Sequence, residues 1–156
     1  IREARNIDLT VGLRKRRGCQ HTVIELPGGG RPLDVFNLHL GLSARERQRQ
    51  AEILARTPDF TRLGRHVPCI VAGDFNDWRS MLREFFTNHL GFHCATDRGR
   101  RPRAIRTYPS FSPSGGLDKI YHRGPVRLVG VRRCALRLSR VASDHLPVIA
   151  DLEIAF

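Results

Sequence analysis

Short runs of hydrophobic residues, some alternating with polar ones, predict a chain built mainly from β-strands. The predicted strands, in chain order, are 7–13, 20–26, 33–40, 67–73, 117–121, 126–138 and 148–154. In the third of these, a period of two places Phe36 and Leu38 on one face and His39 on the other. This strand therefore presents an imidazole on the side away from its apolar face.

Two segments between these strands are predicted to be helical. Ser43 and Glu46 form a capping box, so the first helix begins there and ends before Pro58. The second helix is predicted over about 78–90. Residues 97–116 are rich in Arg, Pro, Ser and Gly and are predicted to form a long irregular loop. Because strands outnumber helices and the two alternate, the fold class is α/β or α+β, built on sheets.

Polar side chains that can carry acid–base chemistry stand where predicted strands begin or end. An Asx-turn, which satisfies only local backbone groups, would explain any one such group on its own. Four of them in one small domain indicate instead that strand ends converge on a single pocket. The four groups are Asn37 with His39, Asp74 with Asn76, Asp118 alone, and Asp144 with His145.

These residue types suit the hydrolysis of a phosphate ester. A histidine that is oriented by a carboxylate can take a proton from water. An amide and a second imidazole can hold phosphoryl oxygens as charge develops, and further carboxylates can bind Mg²⁺. The sequence contains neither the G-x-S-x-G motif of serine hydrolases nor the P-loop motif of nucleotide hydrolases. It therefore favours metal-assisted phosphate chemistry over those two classes.

The charge of the chain adds a weaker indication in the same direction. The net charge is +12, and since only Lys15 and Lys119 are lysines, the other 25 of the 27 basic residues are arginines. Arginine matches the geometry of phosphate oxygens, so a polyanionic partner or a phosphate-bearing substrate is expected. A compositional bias toward arginine, with solvated side chains, explains the same numbers equally well.

The cysteines and the apolar runs bear on where the protein resides. The four cysteines are irregularly spaced and show no metal-ligand pattern, so free thiols in a reducing, cytoplasmic location are expected. No apolar run approaches the length of a membrane span. The chain lacks an initiator Met and begins within a strand pattern, so we expect that its N-terminus has been cut.

Five segments resemble, in order, the motifs of the endonuclease/exonuclease/phosphatase superfamily. That family includes pancreatic-type deoxyribonuclease, apurinic endonucleases, inositol polyphosphate phosphatases and neutral sphingomyelinases. The resemblance covers about residues 33–155 and implies a two-sheet β-sandwich flanked by helices. The segments are VFNLHLGL, RQRQAEIL, CIVAGDFNDW, LDKIY and ASDHLPVIADLEI, of which G-D-F-N and S-D-H-x-P are the specific parts.

The resemblance implies catalytic and metal-binding roles for individual residues. His145 resembles the general base that activates water, and Asp118 resembles the carboxylate that orients it. Asp144 resembles a carboxylate at or beside the metal. Asp74 resembles a residue that positions the nucleophile or leaving group, and it is a second candidate metal ligand. The implied cofactor is Mg²⁺, with Mn²⁺ as an alternative.

Three further residues are implied to contact the substrate. Asn76 pairs with Asp74 in the motif and resembles the residue that binds the scissile phosphate. His39 resembles a second histidine that stabilises the phosphate or the leaving group, and Tyr108 is a candidate substrate contact. His89 and His93 lack a matching carboxylate or cysteine arrangement and are predicted to be surface or packing residues.

One part of the family's pattern is unmatched. The metal-binding glutamate and its partner asparagine lie upstream in the family, and residues 1–26 reproduce neither motif. We therefore expect residues 1–156 to be a single, N-terminally incomplete domain of a Mg²⁺-dependent phosphodiesterase. Nucleic acid, and DNA in particular, is slightly preferred as the substrate. The alternatives are phosphoinositide or phospholipid headgroups as substrates of a phosphodiesterase or phosphatase, and a non-catalytic phosphate-binding fragment.

Overall fold

The computed structural model describes residues 1–98 and 103–155 and contains both strands and helices. The strands are β1 (Glu3–Asp8), β2 (Gly18–Ile24), β3 (Leu33–His39), β4 (Cys69–Asp74), β5 (His93–Cys94), β6 (Asp97–Arg98), β7 (Arg103–Ala104), β8 (Asp118–Arg123), β9 (Val126–Arg133) and β10 (Val148–Ile154). The helices are α1 (Ala44–Arg56), α2 (Pro58–Thr61) and α3 (Arg137–Ala142), and one π-helical turn covers Phe85–His89.

The largest sheet has six strands in the order β1-β2-β3-β4-β8-β5. All neighbours in it are antiparallel except β3 and β4, which are parallel and are connected through α1 and α2. A parallel pair needs such a crossover because its strands enter from the same end of the sheet. Strands β9 and β10 form a separate antiparallel sheet, and β6 pairs with β7. The predicted class, a mixed α/β fold with two main sheets and flanking helices, is confirmed.

The hydrophobic core lies on one face of the six-stranded sheet. Phe36, Val71 and Tyr121 occupy adjacent register positions on β3, β4 and β8, and each is fully buried. Helix α1 covers this face with Ala51 and Leu54, which are also buried. Burying each large ring contributes roughly 2–3 kcal/mol relative to exposure, so this row fixes how the three strands align.

The predicted limits of helix α1 are confirmed. The Ser43 hydroxyl accepts the backbone amide of Glu46 at 3.3 Å, which satisfies one of the free N–H groups of the first turn. The helix ends at Arg56, before Pro58. The Glu46 carboxylate is buried and lies 3.4 Å from Nη1 of Arg14. This ion pair links helix α1 to the turn between β1 and β2.

The first two strands lie earlier in the chain than predicted. The predicted strand 7–13 is wrong beyond Asp8, because the chain turns back there: the amide of Leu9 donates to the carbonyl of Arg17 at 2.9 Å. Gly12, with φ +57°, supplies the left-handed conformation that this turn requires. Strand β2 therefore begins at Gly18, ahead of the predicted start at residue 20, and ends at Ile24.

The predicted helix over 78–90 is wrong in its first half. The Asp77 carboxylate accepts the amide of Leu82 at 2.8 Å, and Ser80 adopts a left-handed φ of 52°. These local bonds replace a helical first turn, and only the π-helical turn at Phe85–His89 and the short turn before it remain helical.

Further boundaries also differ from the prediction. Strand β9 ends at Arg133, and helix α3 follows in place of the end of the predicted strand 126–138. The strand predicted at 117–121 runs instead as β8, from Asp118 to Arg123. The predicted loop 97–116 contains two short strands, β6 and β7, while its residues 99–102 lie outside the described residues.

The sequence also makes predictions about the cysteines and about membrane-spanning segments. The four cysteines are free, as predicted. Among the described residues the longest helix, α1, has 13 residues, and no helix there combines the length and apolarity of a membrane crossing.

Gly73 is held in a backbone conformation and a space that exclude a side chain. Its φ is +131°, and a Cβ at this position would lie 2.0 Å from the carbonyl oxygen of Leu38. We expect Gly73→Ala to lower the free energy of unfolding by more than about 2 kcal/mol, because β3 and β4 would have to separate. Urea denaturation measures this loss.

A matched variant isolates the steric clash from backbone strain. Gly29 also has a positive φ, +75°, but a Cβ there would meet nothing within 4 Å. Gly29→Ala should therefore lower the free energy of unfolding by only about 1 kcal/mol. Equal losses in the two variants would contradict the clash with β3 as the cause.

Candidate active site

Three polar residues form a row across the six-stranded sheet. His39, at the end of β3, pairs in register with Asp74, at the end of β4, and Asp74 pairs with Asp118, at the start of β8. Side chains alternate along a strand, so this row lies on the face opposite the Phe36 core. Neighbouring strands are about 4.8 Å apart, which brings the three side chains within contact range.

His145 joins this row from the connection between α3 and β10. Its Nδ1 lies 2.8 Å from Oδ2 of Asp118, and its backbone amide donates to the Ser143 hydroxyl at 3.1 Å. A carboxylate only accepts hydrogen bonds, so Nδ1 carries the hydrogen and Nε2 of the neutral ring keeps its lone pair. Thr107 holds the carboxylate in turn, its hydroxyl donating to Oδ2 of Asp118 at 2.5 Å.

Asp118 and its neighbours set the protonation of His145. Partial burial alone lowers the pKa of the imidazole. The hydrogen bond to Asp118 and the negative charges of Asp118, Asp74 and Asp144 outweigh burial, so the pKa of His145 is raised above its usual value. The pKa of Asp74 is also raised, first by burial and then by the nearby charge of Asp118.

The Asp74–Asn76 segment combines a local turn with an outward-facing oxygen. The amide of Asn76 donates to Oδ1 of Asp74 at 2.8 Å, which is the Asx-turn that the sequence allowed. Oδ2 of Asp74 stays available to the pocket and lies 3.3 Å from Nε2 of His39. The side-chain nitrogen of Asn76 donates to the carbonyl of Leu40 at 2.9 Å, so the amide itself anchors this loop to the end of β3. Its predicted contact with phosphate stays a prediction.

His39 is the most solvent-accessible member of the row, with 57% of its side chain exposed. Its pKa is lowered, first by partial burial and then by the positive charge of Arg17, against the opposing effect of Asp74. The ring is therefore neutral at physiological pH and faces solvent with hydrogen-bonding capacity to spare.

The polar row and His145 line one open cavity of about 510 Å³. The ring of Tyr108 lies 5.0 Å from the ring of His145, and Trp78 packs edge-on against Tyr108 at 5.7 Å. Trp78 is 56% exposed, so the aromatic wall is open to a bound molecule. The lining residues are His39, Leu42, Asp74, Asn76, Trp78, Tyr108, Leu117, Asp118, Ser143, Asp144 and His145.

The sequence predicts most of the polar residues that line this cavity but misses Ser143, and it misses Thr107, which holds Asp118 without lining the cavity. A hydroxyl in an irregular segment carries no sequence signal of its partner. Trp78, two residues after the G-D-F-N motif, also lines the cavity, and the sequence gives no signal of that position. His89 and His93 are exposed and lie outside the lining of this cavity, as predicted.

The donor set fits a divalent cation of the Mg²⁺ type. Among the described residues, Asp74, Asp118 and His145 each offer one ligand atom, and these atoms lie within 4.8 Å of one another. Mg²⁺ is held in proteins by one or two carboxylates and keeps several waters, so the two aspartates suit it. Asp144, the other predicted ligand, is exposed at the cavity wall and is not part of this group.

The Asp118 carboxylate should control the titration of His145. We expect Asp118→Asn to lower the pKa of His145, because it removes the charge that favours the imidazolium. The stability that the pair contributes is greatest below the unfolded pKa of about 6.5 and is lost as pH rises through the raised folded value. NMR titration of the histidine ring protons in the presence of EDTA measures the shift.

Asp151→Asn is the matched control, because Asp151 is exposed on β10 and pairs with Arg132. This variant should leave the pKa of His145 unchanged. A pKa that stays raised in Asp118→Asn would contradict the assigned hydrogen bond.

Comparison of the sequence with known families and proteins gives a consistent result. The chain matches the model of the Endonuclease/Exonuclease/phosphatase family over residues 7–145. It is 32% identical over 154 residues to the protein YbhP of Escherichia coli strain K12, and a YbhP protein of Shigella flexneri matches equally. The match covers 99% of this chain and 59% of the YbhP sequence, so the chain spans somewhat over half the length of these relatives.

Solved structures show the same fold. An endonuclease/exonuclease/phosphatase from Bacteroides vulgatus superposes with a TM-score of 0.77 at 20% identity, covering 99% of this chain and 66% of that one. A mannosyl-6-phosphatase from Bacteroides thetaiotaomicron gives 0.74 at 18% identity, covering 99% and 67%. The human Nocturnin catalytic domain with bound sulfate gives 0.75 at 22% identity, covering 98% and 59%. The chain therefore belongs to the Endonuclease/Exonuclease/phosphatase family, whose members are hydrolases.

Proposed function

We propose that the protein is a divalent-metal-dependent phosphodiester hydrolase in which His145 and Asp118 activate the attacking water. The observation that carries this proposal is the 2.8 Å hydrogen bond between His145 Nδ1 and Asp118 Oδ2. Both residues line a cavity that also contains His39 and Asp74. A base, the group that orients it and a polar wall for phosphate are therefore present in one open site.

The hydrogen-bond pattern supports His145 as the general base. With Nδ1 donating to Asp118, Nε2 accepts a proton from a water molecule in the cavity as that water attacks phosphorus. The imidazolium that forms is stabilised by the carboxylate beside it. The raised pKa of His145 makes the ring a stronger base once it is neutral, so the rate should rise with pH through that pKa.

His39 and Asp74 form the part of the site that meets the phosphate group. The neutral ring of His39 has a single N–H, and a hydrogen on Nε2 lies beside Oδ2 of Asp74, which is 3.3 Å away. A phosphate that replaces this carboxylate as the acceptor would receive the hydrogen bond at a phosphoryl oxygen or at the departing oxygen of the ester. Charge that develops on the phosphate therefore meets a donor that is already in place, and this preorganisation lowers the barrier.

Asp74 and Asp118 are the residues that would hold Mg²⁺ or Mn²⁺, and Asp144 stands next to His145 as a further oxygen donor. A divalent cation bound there supplies positive charge to a phosphoryl oxygen. Burial first and then the nearby charge of Asp118 raise the pKa of Asp74, and a bound cation would offset the repulsion between the two carboxylates.

Nucleic acid is the proposed substrate class, with DNA first. The net charge of +12 favours a polyanion, and the exposed ring of Trp78, beside the half-buried ring of Tyr108, offers a surface on which a base can stack. The loop 97–116, whose arginines also favour a nucleic acid, includes residues 99–102, which lie outside the described residues. The alternative substrate class is a smaller phosphate ester, and one structural neighbour of the chain is a mannosyl-6-phosphatase.

Removing the base should abolish most of the activity. In the complete protein with Mg²⁺, we expect His145→Ala to lower kcat for bis(p-nitrophenyl) phosphate by ~10²–10⁴, the usual range for a general base. Release of p-nitrophenol measures the rate. The matched control is His89→Ala, an exposed histidine outside the cavity, which should leave kcat unchanged.

Near-normal turnover by His145→Ala would contradict the assigned base. If the wild-type protein binds phosphate but turns over no diester with either cation, the non-catalytic alternative is supported instead. EDTA should remove the wild-type activity, and Mg²⁺ in excess should restore it.

Binding to DNA of random sequence should depend steeply on salt. Each phosphate that is neutralised by a cationic side chain contributes about −0.9 to the slope of log Kobs against log salt. We expect a slope of about −3 or steeper, as for a site that spans several phosphates. Fluorescence anisotropy of a labelled duplex at several KCl concentrations measures it, and a flat dependence would favour the smaller phosphate esters.

A further inference from the structure

We propose that the basic turn formed by residues 14–17 is a second phosphate subsite beside the catalytic cavity. The preferred substrates would then carry a second phosphate group near the one that is cleaved. The inference rests on the proposed function, which places the cleaved phosphate at His39, Asp74 and His145. The inference adds that the substrate carries a second phosphate group, which residues of the basic turn bind.

The topology of the sheet brings this turn to the active site. Cys19 of β2 pairs with Leu38 of β3, so the start of β2 at Gly18 lies beside the end of β3 at His39. Residues 14–17 come immediately before Gly18, and they therefore flank the catalytic row. The positive charges of Arg17 and Lys15 act on His39 at this range, which is consistent with that position.

A separate cavity of about 280 Å³ lies under the turn. It is lined by Arg14, Lys15 and Arg17 on one side and by Leu42 and Ser43 on the other. Leu42 also lines the catalytic cavity, so the two cavities share a wall. A molecule with two phosphate groups can therefore occupy both cavities by passing Leu42, which is exposed.

The charge in this second cavity is unbalanced. Its acidic lining residue is Glu46, whose buried carboxylate already meets Arg14 Nη1 at 3.4 Å. Lys15 and Arg17 form no ion pair with any residue in the described part of the chain. These two cations therefore face the cavity without a protein counter-charge, which is the condition that favours a phosphate group.

The turn is also held in shape before any ligand binds. The carbonyl of Arg17 accepts the amide of Leu9 at 2.9 Å, and its amide donates to the Thr10 hydroxyl at 3.3 Å. Nε of Arg17 is shielded from solvent and has no acceptor within the described structure. The backbone of the turn is therefore fixed, and Nε of Arg17 is not engaged by an acceptor among the described residues.

Calorimetric titration of the complete protein with paired nucleotides tests the proposal. Wild type should bind thymidine 3′,5′-bisphosphate at least about tenfold more tightly than thymidine 5′-monophosphate, which corresponds to about 1.4 kcal/mol. The double variant Lys15→Gln/Arg17→Gln should lose this preference. The charge-preserving variant Lys15→Arg/Arg17→Lys should retain most of it, and thermal melts establish that each protein is folded.

A control removes the same charge elsewhere. Arg31 lies in the loop at the other end of β3, and Arg56 lies at the far end of α1; both are exposed. Arg31→Gln/Arg56→Gln should keep the full preference for the bisphosphate. If this control loses the preference equally, net charge is the cause and the subsite proposal is overturned.

A parallel pair of ligands identifies the source of the second phosphate. The same proteins are titrated with myo-inositol 1,4-bisphosphate and myo-inositol 1-phosphate. A preference for either bisphosphate that disappears in Lys15→Gln/Arg17→Gln supports the subsite and indicates a nucleotide or an inositol substrate. Equal wild-type affinity for monophosphates and bisphosphates, or a preference that survives in this double variant, overturns it.

The experiments distinguish an error in the proposed catalytic function from an error in the proposed subsite. Wild-type protein that turns over no bis(p-nitrophenyl) phosphate, yet prefers bisphosphates through Lys15 and Arg17, contradicts the catalytic proposal and supports the subsite. Wild-type protein that hydrolyses the diester but binds both ligand classes equally contradicts the subsite alone.

Discussion

The pairing register of β3, β4 and β8 determines both how the core packs and how the candidate site is aligned. On one face of β3, β4 and β8, Phe36, Val71 and Tyr121 are packed side by side without access to solvent. A slip of one residue in any of these strands would turn its core side chain toward the other face. The packing that stabilises the core thus also fixes which polar residues align three positions further along.

Those residues are His39 and Asp74, and Asp118 completes the row at the start of β8. The candidate site therefore needs no flexible segment to align its first three members. His145 alone arrives from a loop, and its amide is fixed by Ser143 and its ring by Asp118. Burial of apolar surface and the alignment of the candidate site are two results of one pairing pattern.

The end of β4 and the segment that follows it contain two residues with positive φ, Gly73 and Asn76. Gly73 allows β3 to approach closely, and Asn76 adopts a left-handed φ of 50°, which asparagine tolerates better than most residues. Asp77 is buried and accepts the amide of Leu82, while Arg47 of helix α1 approaches it at 3.7 Å. The end of β4, which carries Asp74, is thus held by its pairing with β3, by the following turn and by helix α1.

Local patterns in the sequence predict the strands and the site residues, whereas register and side-chain bonds depend on the folded chain. Strand identity and the polar strand ends follow from periods and motifs, and the sequence therefore predicts His39, Asp74, Asp118 and His145 as site residues. Register does not follow from a period, so the sequence does not show that Asp118 lies beside Asp74, as the pairing of β4 with β8 requires. The prediction of a helix over 78–90 is wrong in its first half because the Asp77 carboxylate bonds to the backbone amide of Leu82. A periodic pattern contains no information on such a bond.

The distribution of charge connects the site to its proposed substrate. The negatively charged oxygens of Asp74 and Asp118 lie within 4.8 Å of each other and repel, and a cation held between them would lower that repulsion. In a chain of net charge +12, that acidic pair is a small negative centre with positive residues around it. The positive charges of Lys15 and Arg17 act on His39, so the proposed phosphate would be attracted to this side of the site and the proposed cation to the two aspartates. A phosphate diester with a second phosphate nearby matches both signs of this field, whereas a neutral substrate would match neither.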